Sequence, residues 1–132
     1  IPPPRTGDPL PVDNVVPIAF FQGSIDSLVT ADQVQRTFDG VRGVKPYLRV
    51  FIDGGNHFFL TDESNPPGAR PDPNAMTLDQ ATSVDSTAKW TAIWFKANLG
   101  DESALAELAT AAAEQDGTPT GEPHVHLEYV TA

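Results

Sequence analysis

The first half of the chain consists of two apolar segments separated by an amphipathic one. Residues 15–23 (VVPIAFFQG) are almost continuously apolar, which is typical of a strand covered on both faces of a parallel sheet. Residues 47–55 (YLRVFIDGG) are rich in aromatic and β-branched side chains, which favour a second strand. Between them, Thr30 and Gln33 have the spacing of a capping box that opens a helix. The order strand, helix, strand predicts a βαβ unit with parallel strands and a right-handed crossover. The apolar face of its helix is assigned to Val34, Phe38 and Val41.

Further elements are predicted downstream. Thr77 and Gln80 form a second capping box, which predicts a helix that ends near Leu99. Residues 101–115 predict a short alanine-rich helix, and residues 124–130 (HVHLEYV) alternate like a half-buried strand. The core stripe of the helix opened by Thr77 is assigned to Ala81, Val84, Ala88, Ala92, Phe95 and Leu99, widened by Trp90, Ile93 and Trp94.

These patterns divide the chain into three parts. Residues 1–14 form an extended proline-rich leader loop, residues 15–100 carry the α/β unit, and residues 101–132 add a helix and a terminal strand. Two parallel strands are too few for a stable parallel sheet, and the first strand is too apolar for an exposed edge. We therefore expect another chain or a missing segment to complete the sheet. The proline-rich start at Ile1 is typical of a processed end and slightly favours export, but the sequence does not fix the compartment.

Composition and charge narrow the classes of function. The formal net charge of −10 argues against a nucleic-acid partner, which requires a basic surface. The chain has no cysteine, which excludes disulfides, a thiol nucleophile and a cysteine-ligated metal. No apolar run approaches the roughly 20 residues needed to cross a bilayer. His124 and His126 open the alternative of a metal site with Glu122 or Glu128, but an exposed strand face is the preferred interpretation.

Two side chains with catalytic chemistry follow the predicted parallel strands. Asp26 lies three residues after Gly23, at the end of the first strand, and His57 follows a Gly-Gly turn at the end of the second. Because neighbouring parallel strands end at the same edge of a sheet, these residues are expected to meet. A carboxylate beside an imidazole holds the ring's tautomer and stabilises the imidazolium formed during catalysis. Phe58 is a candidate for the wall of a substrate pocket, with core packing as the alternative.

This constellation resembles the carboxy-terminal half of an α/β-hydrolase, in which a G-x-x-D turn, a helix, a G-G-x-H turn and a large last helix follow one another. The corresponding residues here are GSID, GGNH and KWTAIWFKANL, and the resemblance covers about Val15 to Leu99. It implies a serine hydrolase acting on carboxylic esters, similar to lipases, polyester hydrolases and dienelactone-hydrolase-like esterases, with Asp26 and His57 as the triad acid and base. It implies neither a cofactor nor a metal.

The chain departs from the family pattern at the nucleophile. No G-x-S-x-G motif occurs, so the serine and the oxyanion hole are expected on a complementary chain or segment that carries the amino-terminal half. The alternative is a non-catalytic interaction module that keeps a hydrolase-like half-sheet. The long loop NPPGARPDPN is expected to border the entrance of the cleft.

Overall fold

The computed structural model describes residues 16–41, 43–113 and 122–131. They form a small α/β arrangement of one mixed sheet and three helices. The elements are β1 (Ile18–Gly23), α1 (Ala31–Val41), β2 (Tyr47–Ile52), α2 (Gln80–Asn98), α3 (Glu102–Ala113) and β3 (Val125–Val130). Within these ranges, no helix is both long and apolar enough to cross a membrane.

The sheet has the strand order β1–β2–β3. β1 and β2 are parallel, in a register that pairs Ile18 with Tyr47 and Gly23 with Ile52. β3 lies along the other side of β2 and is antiparallel to it, with Val125 opposite Ile52. The predicted parallel pair is therefore confirmed, and β2 is the central strand.

Alternate residues of β2 serve two separate packing layers. The layer shared with α2, α3 and β3 contains Leu48, Val50, Ile52, Trp90, Ile93, Trp94, Leu108, Val125 and Leu127. On the other face, the Phe38 ring of α1 meets the rings of Phe20 and Tyr47 edge-on, at centroid distances of 5.8 and 5.0 Å. The Arg49 guanidinium lies 4.0 Å from the Phe38 ring centroid. Helices thus cover both faces of β2, and even Arg49 is only 8% exposed.

The start of α1 is the one that the sequence predicts. The Thr30 backbone N–H donates to Gln33 Oε1 at 2.8 Å, and the Gln33 N–H donates to Thr30 Oγ1 at 3.4 Å. This reciprocal pair satisfies two N–H groups that a helix start leaves open. Phe38 and Val41 are buried and Val34 is half-buried, so the predicted apolar face is confirmed.

The start of α2 differs from the prediction. Asp79, not Thr77, is the N-cap, and its side chain accepts a hydrogen bond from the Thr82 backbone N–H. The Thr82 N–H and hydroxyl hold the pKa of Asp79 below its ordinary value of 3.8. Thr77 instead donates its backbone N–H to the Gly54 carbonyl at 3.0 Å. The predicted capping box at Thr77 is wrong because a contact with the loop after β2 engages that residue.

The predicted core stripe of α2 is also wrong. Its buried residues are Ser83, Ser86, Trp90, Ile93 and Trp94. Phe95 and Leu99, assigned to the stripe, are 61% and 84% exposed. Two serines are accommodated in the interior because Ser83 donates to a backbone carbonyl and Ser86 donates to Glu122. A core face chosen by hydrophobicity alone leaves out serines whose hydroxyls are hydrogen-bonded in the interior. Trp90 and Trp94 are core residues, as predicted.

A polar cluster ties the start of β3 to α2. Glu122 accepts hydrogen bonds from Ser86 Oγ, Lys89 Nζ and Trp90 Nε1 at distances of 3.0 to 3.1 Å. His124 Nε2 lies 2.7 Å from Ser86 Oγ. Because the single Ser86 proton goes to Glu122, His124 Nε2 is the donor in this contact. The cluster therefore gives His124 a packing role against α2.

The outer side of β1 is an edge of the sheet within the described part of the chain. The first four residues of β1 are only half-buried. A groove of about 430 Å³ beside the strand is lined by Pro17, Ile18, Ala19, Phe21, Thr91, Trp94 and Phe95. Although the sequence is typical of a strand covered on both faces, none of the described residues covers this apolar side of β1.

We expect the burial of α3 to be visible in stability. Leu108 is fully buried at 0% exposure, whereas Leu105 of the same helix is 43% exposed. Leu108→Ala should lower the free energy of unfolding by about 2–5 kcal/mol, since it removes buried methyl groups and leaves a cavity. Leu105→Ala, the matched control, should cost less than about 1 kcal/mol. Urea unfolding of the purified chain measures both, and equal losses would contradict the packing of α3.

Candidate active site

The parallel register of β1 and β2 continues into the loops that follow them. The Ser24 backbone N–H donates to the Ile52 carbonyl, and the Ile25 N–H donates to the Gly55 carbonyl, each at 3.0 Å. These bonds hold the two loops side by side beyond the last paired strand residues. They place Asp26, on the first loop, next to His57, on the second.

Gly23 is required where the two loops separate from the sheet. A Cβ atom added at Gly23 would overlap the Gly55 carbonyl oxygen and lie 2.7 Å from the Asn56 carbonyl oxygen. Because these are backbone atoms, they cannot move away by a change of rotamer. The absence of a side chain at Gly23 therefore permits the close approach of the loops.

Asp26 is oriented by its own loop. One carboxylate oxygen, Oδ1, accepts the backbone N–H groups of Leu28 at 2.9 Å and Val29 at 2.8 Å. Its side chain is 8% exposed. These two local bonds fix the carboxylate in the turn and direct its second oxygen, Oδ2, toward His57.

His57 completes an acid–histidine pair. Its Nδ1 lies 2.9 Å from Asp26 Oδ2, and its side chain is 38% exposed. An ionised carboxylate only accepts hydrogen bonds, so Nδ1 carries the proton and the lone pair of the neutral ring is on Nε2. No hydrogen bond from the described residues reaches Nε2. The imidazole is therefore prepared to accept a proton at Nε2, as a general base must.

Asn56 shapes the turn that carries His57. It is fully buried, and its Oδ1 accepts the Phe58 backbone N–H at 2.9 Å. Its Nδ2 donates to the Asn74 carbonyl at 2.8 Å and to Ser64 Oγ at 3.2 Å. Asn56 thus has a structural role in this turn and links it to the long loop that follows.

A cleft of about 380 Å³ opens beside the pair. It is lined by Phe21, Gln22, Asp26, Val29, Val34, His57, Phe58, Phe59, Leu60 and Thr61. The Phe58 ring meets the His57 ring edge-on at 5.3 Å between centroids and is 7% exposed, so Phe58 lies in the cleft wall, largely buried. Gln22 is 5% exposed, and its Oε1 has no donor among the residues that the structure describes. The cleft is therefore mostly apolar, with a buried amide at its base.

Asp72, in the proline-rich loop, binds both loops of the site, a role that the sequence pattern does not predict. It is 3% exposed. Its Oδ2 accepts the His57 backbone N–H at 2.9 Å, and its Oδ1 accepts the Ser27 hydroxyl and the Asn74 backbone N–H. A weaker bond joins the Ser27 backbone N–H to Oδ2 at 3.3 Å. One buried carboxylate thus joins the loop of Asp26 to the loop of His57.

The hydrogen bonds of Asp72 favour its ionised form. Burial opposes ionisation, but the Ser27 hydroxyl and the backbone N–H groups of His57, Asn74 and Ser27 outweigh it. Together they hold the pKa of Asp72 below its ordinary value of 3.8. The carboxylate is therefore charged near neutral pH.

Five of the six serines of the chain form hydrogen bonds with groups other than His57, and the sixth, Ser103, lies on α3. Ser24 donates to Asp53 at 3.1 Å, Ser27 donates to Asp72, and Ser64 accepts from Asn56. Ser83 and Ser86 are bonded within the interior. None of the hydrogen bonds of the described residues joins a serine hydroxyl to His57.

The proline-rich loop at residues 65–74 approaches the site through Asp72. Asp72 binds the backbone of His57 and the side chain of Ser27. None of residues 65–74 is among the residues that line the cleft, so the contact of this loop is with the two turns. Its position at the entrance of the cleft stays a prediction.

The two histidines of the carboxy-terminal segment do not form a metal centre with their neighbours. His124 binds Ser86, and His126 lies within β3 opposite Phe51. In the part of the chain that the structure describes, no group of three or more His, Asp or Glu side chains could hold a metal ion.

Comparisons with known proteins gave no relatives. No family model, no curated protein and no solved structure matches this chain.

We predict that Asp26→Asn reverses the tautomer of His57. The amide oxygen can still accept from Leu28 and Val29, while the amide nitrogen would face Nδ1 and donate to it. The proton of the neutral ring should then move to Nε2, which ¹⁵N chemical shifts of the imidazole report. Asp53→Asn, at the same edge of the sheet, is the control and should leave the tautomer unchanged. An unchanged His57 tautomer in Asp26→Asn would contradict the pairing.

We predict that Asp72→Asn destabilises the chain in a pH-dependent way. Since the folded pKa of Asp72 is lowered, its contribution is complete above about pH 4 and is lost as the pH falls through the folded value. The variant should be less stable by about 1–3 kcal/mol at pH 7, and the difference should narrow below about pH 4. Urea unfolding between pH 7 and pH 3 measures it, with the exposed neighbour variant Asp62→Asn as control. A difference in unfolding free energy that stays constant across that range would contradict an ionised Asp72 that stabilises the fold.

Proposed function

We propose that this chain supplies the acid and the base of a serine hydrolase that acts on carboxylic esters. His57 is the general base and acid, and Asp26 orients it. The nucleophilic serine belongs to a complementary segment with a G-x-S-x-G elbow, outside the sequence of this chain. The proposal requires no metal and no cofactor.

One observation carries the proposal: His57 is fixed at one ring nitrogen, and none of the described residues bonds to the other. Nδ1 lies 2.9 Å from the buried Asp26 carboxylate, and the ring lines an apolar cleft. The resemblance of GSID and GGNH to α/β-hydrolase turns supports the same assignment.

In the proposed reaction, His57 Nε2 takes the proton of the serine hydroxyl as the serine oxygen attacks the ester carbonyl. The Asp26 carboxylate stabilises the imidazolium that results. The imidazolium then returns the proton to the alcohol oxygen as the ester C–O bond breaks and an acyl-serine remains. Water, activated by the same nitrogen, hydrolyses the acyl-serine.

The uncovered side of β1 is the place where we expect the complementary segment to dock. Half-exposed apolar residues of the strand and the exposed Phe95 ring line a groove of about 430 Å³ there. A strand added on this side would be a neighbour of β1, whose carboxyl end leads to Asp26. A parallel strand at that position would end beside the acid–histidine pair, which is where the serine is needed.

The substrate is proposed to be a small-molecule or polymeric ester with an apolar group. The lining of the cleft next to His57 consists mainly of aromatic and aliphatic side chains, including Phe58. Such a surface favours the burial of a hydrophobic acyl or alcohol group. The choice of an ester over an amide rests on the resemblance.

A fluorophosphonate reagent tests this proposal directly, since it bonds covalently to a serine activated by a neighbouring base. The purified protein with all its chains would be labelled in its native state, digested, and the modified serine located by mass spectrometry. We expect the label on a serine in a G-x-S-x-G sequence outside residues 1–132. Labelling of one of this chain's own serines, or no labelling, would contradict the proposal, and no labelling would favour the non-catalytic interaction module.

His57→Ala should lower kcat/KM for a nitrophenyl ester by several orders of magnitude, because the serine loses its base. The circular dichroism spectrum should remain that of the wild type, since the ring is 38% exposed and removing it leaves little empty space. His126→Ala, which removes a histidine on β3, is the matched control and should retain activity. Comparable ester hydrolysis by His57→Ala and the wild type would refute the assignment of the base.

A further inference from the structure

We propose that Asp72 is a positioning residue, which sets the geometry of the Asp26–His57 pair by binding both loops at once. The proposal rests on the role of His57 as the base. It adds a second carboxylate to the site, which acts through backbone and hydroxyl contacts and has no hydrogen bond to the imidazole ring among the described residues.

The position of the contacts gives Asp72 this role. On one side it accepts the backbone N–H of His57 itself, at 2.9 Å. On the other side it binds the backbone N–H and the hydroxyl of Ser27, the residue after Asp26. The distance between the acid and the histidine therefore depends on two short connections that meet at one carboxylate.

Asp72 is itself held rigidly. Its backbone N–H donates to Asn65 Oδ1 at 2.8 Å, and its Oδ1 accepts the Asn74 N–H at 2.8 Å. The Asn74 side chain in turn donates to the Ile25 carbonyl, also at 2.8 Å. Asp72 is thus bound by two other residues of its own loop, Asn65 and Asn74, and is only 3% exposed.

Other bonds also join the two loops, but they lie farther from the pair. The Ile25 N–H donates to the Gly55 carbonyl, and Asn74 links the Ile25 carbonyl to the Asn56 side chain. Asp72 differs from these links because it binds His57 itself and Ser27, the residue next to Asp26. It is therefore the link best placed to hold the Asp26–His57 contact during the proton transfers.

The first test measures the pair in the full chain without reference to activity. The Nδ1–H proton of His57 would be followed by ¹⁵N-edited NMR in the wild type and in Asp72→Ala, Asp72→Asn and Asp62→Ala. We expect a protected low-field Nδ1–H signal in the wild type and in Asp62→Ala, and its loss in Asp72→Ala. Asp72→Asn should recover the signal, because its amide oxygen can still accept the His57 backbone N–H.

A wild-type Nδ1–H signal in folded Asp72→Ala would overturn the proposal. If Asp72→Ala does not fold, Ser27→Ala carries the test, because it cuts only the hydroxyl connection between Asp72 and the loop of Asp26. The signal should then exchange with water at least tenfold faster than in the wild type. An exchange rate equal to that of the wild type would overturn the proposal equally.

The second test uses the protein together with its nucleophile-bearing segment. With a nitrophenyl ester, Asp72→Ala should lower kcat by about tenfold to a hundredfold, since a displacement of about 1 Å at a catalytic group has costs of this size. KM should stay within about twofold of the wild-type value. A change in KM with unchanged kcat would refute a positioning role. If the wild type hydrolyses no ester, the proposed function fails, while the Nδ1–H signal still decides the role of Asp72.

Discussion

The parallel register of β1 and β2 is the constraint on which the candidate site depends. Pairing Gly23 with Ile52 starts the two loops at the same level of the sheet, and bonds from Ser24 and Ile25 continue the pairing into them. A shift of one residue would turn alternate side chains of β1 to the opposite face and separate the loops. The positions of Asp26, His57 and the cleft all depend on this alignment. The lack of a side chain at Gly23 allows the two loops to approach each other.

Features encoded within a few residues could be predicted from the sequence, and features encoded between distant segments could not. The Thr30–Gln33 capping box involves residues three positions apart, and the pairing of Asp26 with His57 follows from strand direction alone. Thr77 was misassigned because its partner is Gly54, and the buried face of α2 because Ser86 is satisfied by Glu122. Asp72 gave no signal at all. In the sequence it is one acidic residue among prolines, and only the folded loop shows that it lies against both turns.

The site as described is one-sided. It provides a proton acceptor with its orienting carboxylate and an apolar wall, and it presents Nε2 of a half-exposed imidazole with no bond from the described residues. The Gln22 Oε1 atom also lacks a donor among those residues, but it is buried, and an unpaired buried oxygen costs about 1–3 kcal/mol. The exposed Nε2 is the group suited to a partner that brings a hydroxyl donor into the cleft.

The outer edge of β1 affects how this polypeptide associates in solution. Among the described residues β1 has no strand partner on its outer side, and such a strand edge beside hydrophobic side chains is a template on which other extended segments assemble. The formal charge of −10 opposes such contacts between copies, because like charges repel over about 10 Å at 0.1 M salt. Buffers of low ionic strength will therefore keep the molecules monomeric. High salt will screen the repulsion and promote self-association through the outer edge of β1.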